Sequence, residues 1–114
     1  MNVESVREYC LKFKGCNESF PFDETTLVMK VGGKMFVLVN LDEGASINLK
    51  CEPEEAIALR ETYDSVMPGY HMNKNHWNTI LLDDTIMDEL IMKWITDSYQ
   101  LVYNKLPSKI KDQI

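Results

Sequence analysis

The spacing of apolar residues along the chain changes period several times, and each change marks a predicted element. Val3, Val6, Cys10 and Phe13 recur at helical spacing behind Asn2, whose side chain can cap a helix, and Gly15 supplies a stop. A first helix is therefore predicted over residues 3–14. Residues 16–24 show no period and are predicted as an irregular connection, with Phe20-Pro21-Phe22 expected to cover one end of the core. Residues 25–31 and 34–40 are β-branched or apolar runs joined by Gly32-Gly33, a pair that tolerates the positive φ of a tight type I′ or II′ hairpin turn. Ser46–Lys50 alternates polar and apolar, as a strand with one wet face does. These runs predict a three-stranded antiparallel meander.

Pro53 stands at a first helical position with Glu52, Glu54 and Glu55 around it, and Ala56, Leu59 and Tyr63 share a stripe, so a second helix is predicted over residues 53–64. Residues 70–72 and 78–82 are predicted as two short strands around a loop. A long helix over residues 85–104 follows, started by Asp83 or Asp84 with Thr85 and striped by Met87, Leu90, Ile91, Trp94, Ile95, Ser98, Leu101 and Val102. Pro107 ends it, and residues 105–114 form a short basic tail. The expected fold is one α+β domain over residues 1–114, with about five antiparallel strands (the meander plus a two-stranded hairpin) and three helices.

Charge sharpens this picture. The net charge is −6, but residues 51–66 hold five acids against Arg60, and residues 84–104 hold four against Lys93. The last ten residues hold three lysines against Asp112. Acid thus falls on two helices, while the hairpin and tail carry local base. Net acidity disfavours phosphate backbones unless a local basic face exists. The apolar runs are far too short to cross a bilayer, and no basic-then-apolar leader opens the chain, so a cytoplasmic protein is expected.

Candidate chemistry concentrates in residues 67–83, which hold both histidines, Trp77, several asparagines and Lys74. His71 and His76 lack helical metal spacing and have no acid between them, so no metal is expected; one is expected to bond the loop backbone. Cys10, Cys16 and Cys51 form neither a disulfide framework nor a zinc spacing, and Cys10 is expected to be a small buried hydrophobe. No nucleophile motif is present, and Gly32-Gly33 opens no helix, so neither a catalyst nor a P-loop is expected. No cofactor is implied.

Phe20–Phe22 (F-P-F), residues 30–36 (K-V-G-G-K-M-F), 47–54 (I-N-L-K-C-x-P-E) and 68–79 (P-G-Y-H-M-N-K-x-H-W-N-T) together resemble the MmcQ/YjbR family of small bacterial proteins. The later S-Y-x-L-V of residues 98–102 and Leu106-Pro107 agree with it. The resemblance implies an α+β domain with an antiparallel sheet and a double-wing arrangement likened to DNA-binding modules. In that account the hairpin tip (Gly32, Gly33, Lys34) and the loop (Asn73, Lys74, Asn75, His76, Trp77, Asn78) act as two wings, with Lys30, Tyr70 and His71 as further contact residues. The lysines, with the tail lysines, would meet phosphates, the asparagines phosphates or base edges, and Trp77 or Tyr70 an unpaired base. For Trp77 itself, core packing is the expectation. The alternative partner is a protein or a small polar ligand held on the 70–77 surface without catalysis.

Overall fold

In the computed structural model, which describes residues 1–42, 44–69 and 72–114, the elements run α1 (Val3–Leu11), β1 (Cys16–Ser19), β2 (Thr26–Val31), β3 (Lys34–Asn40), β4 (Ser46–Lys50), α2 (Pro53–Thr62), β5 (Val66–Pro68), β6 (Trp77–Leu81), α3 (Asp88–Asn104) and α4 (Ser108–Lys111). The six strands form one antiparallel sheet in the order β1-β2-β3-β4-β6-β5. The expected single α+β domain is present, with one more strand and one more short helix.

Two sheet faces have different fates. Met29, Val37, Val39, Ile47, Leu49 and Ile80 alternate onto one face and meet Val6 and Cys10 of α1 and Ile91, Ile95 and Val102 of α3 in the main core. Leu59 and Tyr63 from the α2 side and Ile110 of α4 close the same core, so all four helices back one face. The alternate residues Val28 and Leu38, with Trp77, form a second, smaller cluster on the opposite face, joined by Met35 and Met72. Among the described residues, no helix is long and apolar enough to cross a membrane.

A bulge governs the middle of the sheet. Met29 pairs with Val37 and Lys30 with Met35, so Phe36 is skipped in the ladder. Phe36 and Val37 therefore both enter the main core, where Phe36 lies edge-on to Tyr99 at 5.3 Å and to Phe13 at 6.0 Å. Beyond the last β3–β4 pair, the Ser98 hydroxyl donates to the Phe36 carbonyl at 2.5 Å and accepts from the Lys50 N–H at 2.9 Å. A buried serine on α3 thus satisfies two backbone groups where the ladder stops.

Several sequence expectations change. Residues 16–19 are a strand, not an irregular connection: Cys-Asn-Glu-Ser pairs with β2 as an exposed edge, and an edge needs no apolar alternation. Phe20 and Phe22 are 50% and 64% exposed, so they do not cover the core. The partner of β6 is Val66–Pro68 rather than residues 70–72; Tyr70 and His71 lie outside the described residues. Asp83 does not cap α3. Its carboxylate accepts from the Ser65 and Thr85 hydroxyls and the Thr85 N–H, building a separate turn, and the helix begins at Asp88 behind Met87. The tail is not free: α4 lies within it, and Ile110 and Ile114 pack on the core.

Candidate nucleic-acid interface

The Gly32-Gly33 turn carries positive φ at both residues, +56° and +80°, as a type I′ turn requires. Gly33 and Lys34 are exposed, and Lys30 is half-buried beside them. Gly32 has a second reason to be glycine. An ideal Cβ there would lie 2.7 Å from a Leu106 methyl and 2.9 Å from one of Ile110. The tail therefore caps one side of the hairpin tip. Gly15 at the end of the first helical segment meets Ile114 in the same way, at 2.5 Å, and Cys16 pairs with Val31 beside the tip.

Three segments distant in sequence thus converge on one end of the sheet. They bring Lys12 and Lys14, Lys30 and Lys34, and Lys105, Lys109 and Lys111, with Asp112 as the single acidic side chain among residues 12–16, 30–35 and 105–114. Among the described residues the ion pairs are the N-terminus with Asp84 and Asp88, Arg7 with Glu18, and Lys93 with Asp97, so none of these seven lysines is neutralised by one. Lys111 is partly engaged, donating to the Asn104 carbonyl and lying 5.4 Å from the Tyr103 ring centre. The rest of the chain holds five bases against seventeen acids. At the opposite end of the strands, the segments before β2, after β3 and after β6 bring Asp23, Glu24, Asp42, Asp83 and Asp84, and the start of α3 adds Asp88. The molecule is polarised along its strands, basic at the hairpin tip and acidic at the far end.

The second predicted wing sits at the basic end too, because Trp77 pairs with Lys50 and Leu49 with Val37. Its loop is held by the Asn73 side chain accepting from the Asn75 N–H, by the Asn73 carbonyl accepting from the His76 and Trp77 N–H groups, and by Arg60 donating to the Lys74 carbonyl at 2.6 Å. Asn73, Lys74 and Asn75 are exposed and His76 is half-buried. Trp77 is buried against Val28, Leu38 and Met72, which withdraws it from base stacking and agrees with its expected core role. Asn78 is also removed from the surface: it points into the helix-backed face and donates to the Ala56 carbonyl at 3.2 Å, a correction to its expected ligand contact. Strand pairing on a helix-covered face gives every second residue of β6 an inward direction. Gly69 is fixed by close approach, since a Cβ would lie 2.8 Å from that of Trp77. The tip and the loop are separated by β4, which leaves the sheet there and leads into Glu52, Glu54 and Glu55.

The six strands contain one carboxylate, Glu18. It alternates to the helix-backed side and forms two hydrogen bonds with Arg7, at 2.6 and 2.7 Å; these bonds hold its carboxyl below the usual range and raise the guanidinium. The open face instead presents Lys30 and Lys50 at its basic end. The cysteine thiols are pushed up by burial, Cys10 to about 12 and Cys16 and Cys51 to about 11. They are poor nucleophiles at neutral pH. Among the described residues, no three His, Cys, Asp or Glu side chains are grouped to hold a metal.

An antiparallel sheet backed by helices on one face, with a capped hairpin and a basic end, defines a class of small α+β domains. The chain belongs to the YjbR family, whose model matches residues 11–101. It is 32% identical over 112 residues to the uncharacterized protein YbdF of Escherichia coli O157:H7, covering 97% of this chain and 92% of that one. It is likewise 32% identical over 110 residues to the uncharacterized protein YjbR of Escherichia coli K12, covering 96% and 93%. The crystal structure of Deinococcus radiodurans protein DR2400, of domain type DUF419, superposes with a TM-score of 0.92 at 35% identity, over 98% of this chain and 86% of that one. A Pseudomonas syringae protein gives 0.79 at 27% identity, over 90% and 99%.

Proposed function

We propose that this chain is a non-catalytic cytoplasmic protein that binds nucleic acid through phosphate contacts at the basic end of its sheet. The observation that carries the reading is the convergence of seven lysines from three segments around one hairpin tip, in a chain of net charge −6. Lys34, Lys105 and Lys109 are exposed and free of ion pairs among the described residues, and Lys30 extends the patch onto the open face. Lys50 and Lys74 supply weaker, more distant contacts, because Glu52, Glu54 and Glu55 stand nearby in the chain and repel phosphate.

Trp77 is buried, so the contact is to backbone rather than to stacked bases. It is therefore tolerant of sequence and steep in salt, falling by about 0.9 log units per phosphate contact per log unit of salt on duplex DNA. The acidic far end orients the encounter by repelling the strand from that side of the molecule. Three cysteines without a disulfide fit a reducing compartment. Fluorescence anisotropy of labelled single- and double-stranded oligonucleotides of unrelated sequence tests the reading. Comparable binding of different sequences that weakens as salt is raised is expected. Absence of binding at micromolar protein and low salt contradicts it.

A further inference from the structure

The helix-free face of the sheet is not flat. At its acidic end lies a groove of about 480 Å³, a size that suits a small molecule. Its floor crosses four adjacent strands and its wall is Leu38 and Met72. We propose that this groove binds a small organic cation, an ammonium or guanidinium head on a short body that carries a hydrogen-bond acceptor.

The charge of the ligand follows from the mouth. Asp23 and Asp42 both line it, and neither has an ion-pair partner among the described residues. Asp23 is preorganised: one of its carboxylate oxygens accepts from the Thr25 N–H at 3.0 Å, the Thr26 N–H at 2.8 Å and the Thr25 hydroxyl at 3.3 Å. These bonds, the one from the Thr25 N–H foremost, hold the carboxyl below the usual range, so it is ionised at neutral pH. Phe22 stands at the rim, 64% exposed, and offers a ring face to a cation.

The acceptor on the ligand follows from the floor. Ser46 is only 7% exposed and lines the groove, yet its hydroxyl has no hydrogen-bond partner among the described residues. The hydroxyl opens to the groove, where it can donate to a guest atom or a water. Asn40 and Asn48 each have the amide oxygen occupied, by the Asp42 N–H at 3.0 Å and the Thr79 hydroxyl at 2.6 Å. Each therefore retains its NH₂ group as a donor. Carboxylates at the mouth and donors on the floor set the polarity of the guest: positive outward, acceptor inward. The mouth of the groove, at Asp23 and Asp42, is separate from the hairpin tip, since it lies at the other end of the strands, about 17 Å away for a five-residue rise.

The test is a titration of the full chain, isotopically labelled, with tyramine and 4-aminobutanamide as cationic probes and N-acetyltyramine as the neutral control, read by amide chemical shifts. At least one cationic probe is expected to saturate, with the largest shifts at Asn40, Asp42, Ser46 and Asn48, and to bind at least tenfold more tightly than the control. Asp42→Asn, an exposed change that leaves the Asp23 turn intact, is expected to weaken it tenfold or more, and Ser46→Ala to weaken it less. Equal binding of the neutral control, shifts centred outside the groove, or no saturation by either cation at millimolar concentration would each overturn the proposal. A folded amide spectrum of each variant separates loss of the site from loss of the fold.

Discussion

The two faces of the sheet use the same alternating strands for opposite ends. The helix-backed face carries Phe36, Met29, Val37 and Ile47 at zero exposure and joins three aromatic rings of α1, α3 and the segment between α1 and β1. The open face keeps only a three-residue cluster under Met35 and Met72, and gives its remaining positions to Lys30, Lys50 and the polar groove. Stability is thus concentrated on one side, which frees the other to carry charge and open hydrogen-bonding groups.

Substitutions separate the two faces by their cost. Phe36→Ala should cost about 3–5 kcal/mol of unfolding free energy in urea, since it opens a cavity among Phe13 and Tyr99. Leu38→Ala, two positions along β3 but on the other face, should cost nearer about 2 kcal/mol, because its cluster is small and can collapse. Equal losses would mean that the open face is as structural as the covered one. Ser98→Ala leaves the Phe36 carbonyl and the Lys50 N–H without their bridge and should cost about 1–3 kcal/mol by the same assay.

Alkaline pH sharpens the same contrast. Cys10 lies in the helix-backed core with its thiol raised to about 12 from 9.0, so the fold holds the proton that the unfolded chain releases. The stability this gives is fully present below pH 9.0 and is lost as pH rises toward 12. Melting temperature should fall over that window, and Cys10→Ala should fall less steeply. Cys16 and Cys51, raised to about 11, add smaller losses in the same direction.

Much of the covered face was legible in the sequence, because burial imposes period. Val3-Val6-Cys10-Phe13 and the long stripe from Leu90 to Val102 marked α1 and α3, and Gly32-Gly33 marked the hairpin. The edge strand β1 was not legible, since an exposed edge follows no apolar rule, and β5 has only three residues. The start of α3 was misplaced because Asp83 and Thr85 serve a turn as readily as a cap. The basic end was half legible: the tail lysines stood out, but their return to the hairpin depends on Leu106 and Ile110 filling the space a side chain at Gly32 would take. The groove left a trace in the alternation of Ser46–Lys50, whose polar members share one face, but the partners on β3 and β6 are set by pairing across the sheet.

The most direct measurement is the salt dependence of oligonucleotide affinity for two triple variants of equal charge change. Lys34→Ala/Lys105→Ala/Lys109→Ala removes exposed lysines from the hairpin end; Lys50→Ala/Lys74→Ala/Lys93→Ala removes three from elsewhere. The account predicts that the first lowers the slope of log affinity against log salt by about 2–3 on duplex DNA and nearly abolishes binding at physiological salt, while the second lowers it by about 1 or less. Equal effects of the two variants, or an unchanged slope in the first, would contradict it.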